Sequence, residues 1–191
     1  ITMSLFKLYG MGVVEIFNVL TEEECNHLIE YTESLGYQFA TVNNGDGTHE
    51  AKPNLRNNAR VNIEDTDFAQ RIFNVIKPFV PQKIGDDNVL SVDDTFRCYR
   101  YYPNEYFGWH VDGSTRKNGN RSKYTVLIYL NDSYEGGETE FEHAKVKGKQ
   151  GSVVIFPHKL MHQGAMVTKG IKYAIRSDLM YEDHKYHGEQ R

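Results

Sequence analysis

The sequence predicts an α+β chain, mainly β, with an antiparallel β-core in its second half and helices buttressing that core from the first. Three observations lead there. At 191 residues the chain suits one domain with a substantial core and is short for two. From about residue 90 onward, short β-branched and aromatic runs alternate with Gly, Asn and Asp clusters, the pattern of a sandwich or barrel. Before that point the punctuation is helical. No repeat, low-complexity tract or linker interrupts the chain. Residues 1–191 therefore read as a single domain, with an N-terminal helical buttress over about 1–90 and the β-core over about 91–182.

Thr21 with Glu24 three residues on forms a capping box, and Gly36 suits the residue that follows a helix. Between them Cys25, Leu28, Ile29, Thr32 and Leu35 fall on one helical stripe. The polar segment Asn43 to Arg60, with Gly45 and Gly47, reads as a mobile loop. Its cluster Arg56, Asn57, Asn58 and Arg60 has two readings, an exposed loop or a lid that orients substrate. A second helix starts after Asp65 or Thr66, presents Phe68, Ala69, Ile72, Phe73 and Ile76, and stops at Pro78. Strands are expected over 95–102, 107–112, 123–131, 138–142, 151–156 and 171–181.

Bulk properties narrow the function. Hydrophobic content of 39% and charged content of 25% are ordinary for a globular chain. No apolar run is long enough to span a membrane, and no signal-peptide pattern opens the chain. A net charge of -4 and a pI near 6.1 argue against a nucleic-acid partner. The basic clusters Arg116, Lys117, Arg121, Lys123 and Lys145, Lys147, Lys149 read as solvated faces. Cys25 and Cys98 lie far apart with no metal-binding spacing, as for buried reduced thiols in a cytoplasmic protein. Thirteen tyrosines and eight histidines stand out, and a tyrosine-rich wall suits a ligand needing apolar contact and a hydroxyl donor together.

His110-Val111-Asp112 carries the chemistry. Alternate residues of a strand share a face, so His110 and Asp112 project together. A histidine from a later strand would complete two His and one carboxylate on one face of a metal, leaving three positions open, the non-haem Fe(II) arrangement. Zinc enzymes use the same donors, so the pattern alone leaves the metal open. His162 and His158 are rivals for the third position. His143, His184, His187, His27 and His49 read as surface or loop residues. Trp109 fits packing or substrate contact equally, Gly136 and Gly137 read as turn formers, and Glu138 as a solvated turn carboxylate.

The segment Tyr101 to Tyr181 resembles the catalytic core of the prolyl 4-hydroxylase-like 2-oxoglutarate oxygenases. The motifs stand in order: Tyr101-Tyr102-Pro103 leading to His110-Val111-Asp112, Thr125 to Asn131, Gly136-Gly137-Glu138-Thr139-Glu140-Phe141, Gly151 to Pro157, His162-Gln163-Gly164, and Lys172. The resemblance covers about eighty residues continuously. It implies a double-stranded β-helix (jelly-roll) core, with Fe(II) held by His110, Asp112 and His162. It makes 2-oxoglutarate the cosubstrate with O2, and ascorbate a supporting reductant. Lys172 becomes the cation for the distal carboxylate of 2-oxoglutarate, with Tyr101 and Tyr129 as hydroxyl donors and Thr125 on the same pocket wall. Arg176, four residues on and on the same face, is the alternative anchor, or else lies nearer the iron or the primary substrate. In related halogenases a small residue replaces the carboxylate ligand, so Asp112 argues for hydroxylation. The substrate is a small molecule or a peptide, peptidyl proline by default, converted with release of succinate and CO2. Two other readings remain: a sensing module that has lost turnover, and a cupin-like zinc enzyme.

Overall fold

The structure is a computed structural model describing residues 6–43 and 48–184; Gly45, Gly47 and His187 lie outside the described residues. Its principal elements begin with the hairpin β1 (Phe6–Gly10) and β2 (Val13–Ile16), helix α1 (Glu22–Leu35), β3 (Ala59–Glu64) and helix α2 (Thr66–Ile76). There follow β4 (Asp87–Val92), β5 (Thr95–Tyr101), β6 (Phe107–His110), β7 (Asn120–Tyr129), β8 (Thr139–Phe141), β9 (Ala144–Val146), β10 (Val153–Pro157), β11 (His162–Gly164) and β12 (Lys172–Tyr181).

Local chemistry sets the helix ends. The Thr21 hydroxyl accepts from the Glu24 N–H at 3.1 Å, and the Glu24 carboxylate accepts from the Thr21 N–H at 2.8 Å. Gly36 ends α1 at φ 80°, where a Cβ would be strained. Asp65 caps α2 by accepting from the Phe68 N–H. The α-helix ends at Ile76, as expected from Pro78, and Lys77–Phe79 follows as a 3₁₀ turn with the proline near its start, where no N–H is needed. Leu35, expected on the buried stripe, is exposed. Tyr37 takes its place against the core and donates to the buried Thr32 hydroxyl.

Among the described residues eleven strands form the main sheet, whose central path runs β1–β2–β10–β7–β12–β5–β3, with β4 beside β12. A second sheet of four strands has the order β6–β11–β8–β9. Strand alternation divides the main sheet into two faces. Val126, Ile128, Ile155, Ile175 and Phe96 point to one side, where Cys25 of α1 and Ala69, Ile72, Phe73 and Ile76 of α2 cover them. Tyr129, Val154 and Phe156 point to the other and meet Phe141 and Val146 of the small sheet. The site lies on this second face.

The first ninety residues are less helical than expected. Strands β2 and β3 join the main sheet, pairing with β10 and β5. In β2 the alternation is hidden because all four residues are buried, including Glu15, which accepts from Tyr9 and Ser152 hydroxyls. The loop expected from 43 to 60 is also corrected: it enters β3 at Ala59, and Arg56 and Asn58 are buried rather than exposed. The basic clusters pair with carboxylates: Arg116 with Asp183, Lys117 with Asp94, Lys123 with Asp87 and Lys145 with Glu140. No described helix is long and apolar enough to cross a membrane. Cys25 and Cys98 are free and buried, and burial pushes the Cys98 thiol up to about 12.

Candidate metal centre and cosubstrate pocket

Register builds the site. On β12, Lys172, Ala174, Arg176 and Asp178 share the face turned toward the small sheet. Across the ladder to β5 they meet Tyr101, Tyr99 and Arg97, and toward β7 they meet Tyr129, Leu127 and Thr125. The small sheet closes over this face with His110 of β6 directly opposite His162 of β11. Strand β6 ends at His110, two residues earlier than expected, and Asp112 follows beyond the strand, its N–H donating to the His158 carbonyl at 2.9 Å.

His110, Asp112 and His162 bring one donor atom each to within 4.8 Å of the others. Each imidazole places Nδ1 beside a backbone carbonyl, Gly108 at 2.7 Å and Leu160 at 2.8 Å. Those contacts fix the Nδ1–H tautomer and leave both Nε2 lone pairs free. The two Nε2 atoms lie 3.6 Å from opposite oxygens of Asp112. Phe107 stacks on His110 at 3.7 Å and Phe156 meets His162 edge-on at 4.6 Å, so packing holds both rings. Burial pushes the His162 imidazole down to about 4, which keeps it neutral and able to ligate at neutral pH. Burial alone would raise the Asp112 carboxyl, but Arg176 and the two histidines hold it well below the usual carboxylate range.

Behind the triad stands a polar layer. Arg176 reaches Asp112 at 3.3 Å and Asp178 at 3.0 Å, and the Thr125 hydroxyl donates to Asp112 at 2.5 Å. The His158 ring lies 2.9 Å from the Thr125 hydroxyl and 2.8 Å from that of Ser122. Its nitrogens are therefore engaged outside the triad, which separates His158 from His162. Among the other histidines, His27, His143 and His184 are exposed.

The triad opens into a cavity lined by Tyr99, Tyr101, Thr139, Lys172 and Arg176, among others. Lys172 is buried and donates to the Gly137 carbonyl at 2.7 Å. No carboxylate forms an ion pair with it among the described residues, and burial pushes its ammonium down to about 8 against the raising influence of Glu138. Tyr101 lines the same wall, its phenol pushed up by burial and so protonated. Tyr129 does not line it. That hydroxyl shares a 2.5 Å hydrogen bond with Thr139, so Thr139, not Tyr129, presents oxygen to the cavity. Arg56, read as a loop residue, is buried with its guanidinium 4.0 Å from the Phe107 ring centre. Trp109 is 45% exposed and borders neither this cavity nor the cleft outside it.

Sequence reasoning missed Tyr99, Phe107, Phe156 and Thr139. Two were accessible from alternation: Tyr99 precedes Tyr101 by one pleat, and Phe156 lies opposite Thr125. Thr139 sits inside the Gly-Gly-X-Thr turn already singled out. Gly136 needs that turn, at φ 71° with the Met166 carbonyl 2.3 Å from where a Cβ would stand.

Residues 96–177 match the family model described as the 2OG-Fe(II) oxygenase superfamily. A PKHD-type hydroxylase of Klebsiella pneumoniae subsp. pneumoniae is 38% identical over 85 residues, covering 39% of this chain and 38% of that protein. The PKHD-type hydroxylase YbiX of Escherichia coli is 36% identical over the same length, covering 39% and 38%. The match thus spans well under half of these relatives. Among solved structures, the viral collagen prolyl hydroxylase of Paramecium bursaria Chlorella virus-1, in its 2OG complex, superposes with TM-score 0.65 at 23% identity, over 91% of this chain and 98% of that one. A Trichoplax adhaerens prolyl hydroxylase bound to a hypoxia inducible factor peptide fragment gives TM-score 0.69 at 17% identity, over 95% and 88%. At those identities the likeness is one of fold.

Proposed function

We propose, from the premise that residues 96–177 form a 2OG-Fe(II) oxygenase core of the prolyl 4-hydroxylase-like type, that this chain hydroxylates a substrate carbon at the expense of O2 and 2-oxoglutarate. The fold that carries the reaction is read as a double-stranded β-helix, its two sheets enclosing the site. His110 and His162 through Nε2, and Asp112 through a carboxylate oxygen, are the ligands that would hold the iron. Two nitrogens and one oxygen on one side suit Fe(II) and leave positions for the cosubstrate and O2. Bound there, iron supplies the coupling of O2 reduction to oxidative decarboxylation of 2-oxoglutarate, with succinate and CO2 as products.

The chain's own groups do the rest. Lys172 receives the distal carboxylate, and Tyr101 and Thr139 offer hydroxyls on the same wall. Arg176 and Thr125 fix the orientation of Asp112. Phe107, Phe156 and Tyr99 exclude water from the reacting region. The single observation carrying this reading is a buried lysine, without a carboxylate ion pair among the described residues, in the same cavity as a two-histidine, one-carboxylate triad. A buried cation of that kind is costly unless an anion arrives. The same donors would suit zinc, but a zinc hydrolase has no use for the lysine. A silent sensing module would be recognised by a missing ligand, and the three ligands and Lys172 are all here.

Peptidyl proline is the default substrate on resemblance to the prolyl hydroxylases. A library of prolyl peptides, free amino acids and small acids, scored by succinate release, tests the reading. Release should require Fe(II), 2-oxoglutarate and O2 together. Release that persists when Zn(II) replaces Fe(II) contradicts it.

A further inference from the structure

The cleft that leads from the surface to His110 and Asp112 is bordered by Arg56, Arg60, Arg97 and Arg176, and among the described residues Asp112 is the only carboxylate on that border. Such a wall is notable in a chain of net charge -4. Register produces it. Arg60 on β3 stands opposite Tyr99 on β5, Arg97 lies one pleat away on that face, and Arg97 stands opposite Arg176 on β12. Three guanidiniums therefore cross three neighbouring strands in a diagonal row.

Their partners differ. Arg97 reaches Asp178 at 3.4 Å, and Arg176 reaches Asp178 and Asp112. Arg60 and Arg56 form no ion pair among the described residues. Arg60 contacts the Thr41 hydroxyl at 3.5 Å, and Arg56 donates twice to the Asn58 amide oxygen. Burial pushes the Arg60 guanidinium down, Tyr99 opposes that, and the charges of Arg56 and Arg97 push the same way as burial. A half-enclosed cation among cations gains most when an anion docks beside it.

Resting on the reading above that this cleft admits the substrate, we propose that the primary substrate carries an oxyanion, a carboxylate or a phosphate, that seats against Arg60 and Arg56 while the reacting carbon faces His110. Arg97 stands behind them, its charge already shared with Asp178. A guanidinium offers paired N–H donors matched to either oxyanion. A prolyl peptide would satisfy the site only with an acidic group near the proline.

The test uses the full chain loaded with Zn(II), which permits no turnover, and saturated with 2-oxoglutarate so that the cosubstrate pocket is filled. Dissociation constants are measured for phenylacetate against phenylacetamide and for phenyl phosphate against phenol, in the wild type, Arg60→Gln and Arg60→Lys. At least one anion should bind about tenfold tighter than its neutral mate, or about 1.4 kcal/mol. The pair that shows the preference tells carboxylate from phosphate. In Arg60→Gln the preference should shrink to about twofold or less, and Arg60→Lys, which keeps the charge but loses the paired donors, should retain part of it. Equal affinity within both pairs in the wild type overturns the proposal, as does a preference unchanged in Arg60→Gln. Loss in Arg60→Lys equal to that in Arg60→Gln also overturns it, because packing and not charge would then be at work. Succinate release by the wild type judges the oxygenase reading separately, since the binding measurement involves no turnover.

Discussion

Lys172 and Arg176 sit on one face of one strand, and their partners give them different work. Lys172 is buried, its ammonium donating to the Gly137 carbonyl among the Tyr101, Tyr129 and Tyr134 rings, whereas Arg176 grips Asp112 and Asp178. Holding the charged ammonium in the cosubstrate-free protein costs on the order of 3 kcal/mol. The sign follows from the lowered value of about 8: the cost is full below pH 8 and is relieved as pH rises from there toward the unfolded value. Lys172→Met should therefore melt no lower than the wild type at pH 7 without 2-oxoglutarate, yet lose the rise in melting temperature that 2-oxoglutarate gives the wild type. A Met variant that melts well below the wild type and still responds to 2-oxoglutarate would sink the assignment. In the wild type, 2-oxoglutarate affinity should weaken as pH rises above about 8, because the ammonium is lost. A titration that is flat to pH 10 would contradict that. Arg176 holds Asp112, the proposed iron ligand, so Arg176→Gln should weaken iron retention by about tenfold or more, measured with a competing chelator. Unchanged retention would return Arg176 to a substrate-only role.

At the scale of elements, β12 organises everything, pairing with β5 and β7 so that alternate residues of three strands converge. The tight turn before β8 must keep its glycine. Gly136→Ala should cost more than about 1 kcal/mol in chemical denaturation, because the Met166 backbone cannot move aside cheaply. Thr21→Ala should cost about 1 kcal/mol through the lost α1 cap and leave iron binding untouched, a useful contrast. The elements that were legible in sequence share one property: their local signal agrees with their tertiary role. The capping box, the apolar stripe of α2 and the long alternating runs of β5, β7 and β12 are of this kind. The His110, Asp112 and His162 cluster was legible from its motifs, although Asp112 joins it from beyond the end of β6 and not by strand alternation. Illegible were β2, whose residues are all buried and do not alternate, and Arg56, whose burial depends on the Phe107 ring and Asn58. Tyr129 occupies the expected face, its hydroxyl shared with Thr139 of the other sheet, which lines the cavity.

The molecule as a whole divides its labour between the two faces of one sheet. The helix-covered face carries most of the apolar core, and the other face, closed by four short strands, carries charge. Stability and chemistry are thus kept apart, which lets a basic wall and a buried lysine persist in an acidic chain. The central claim is that His110, Asp112 and His162 form an iron site that consumes 2-oxoglutarate. Its most direct test is succinate formed from 2-oxoglutarate with Fe(II) in air by the wild type, Asp112→Ala and His158→Ala. The wild type should form succinate, Asp112→Ala should form none above the protein-free background, and His158→Ala should retain a substantial part. Wild-type-like succinate from Asp112→Ala, or complete loss in His158→Ala with Asp112→Ala active, would contradict the account.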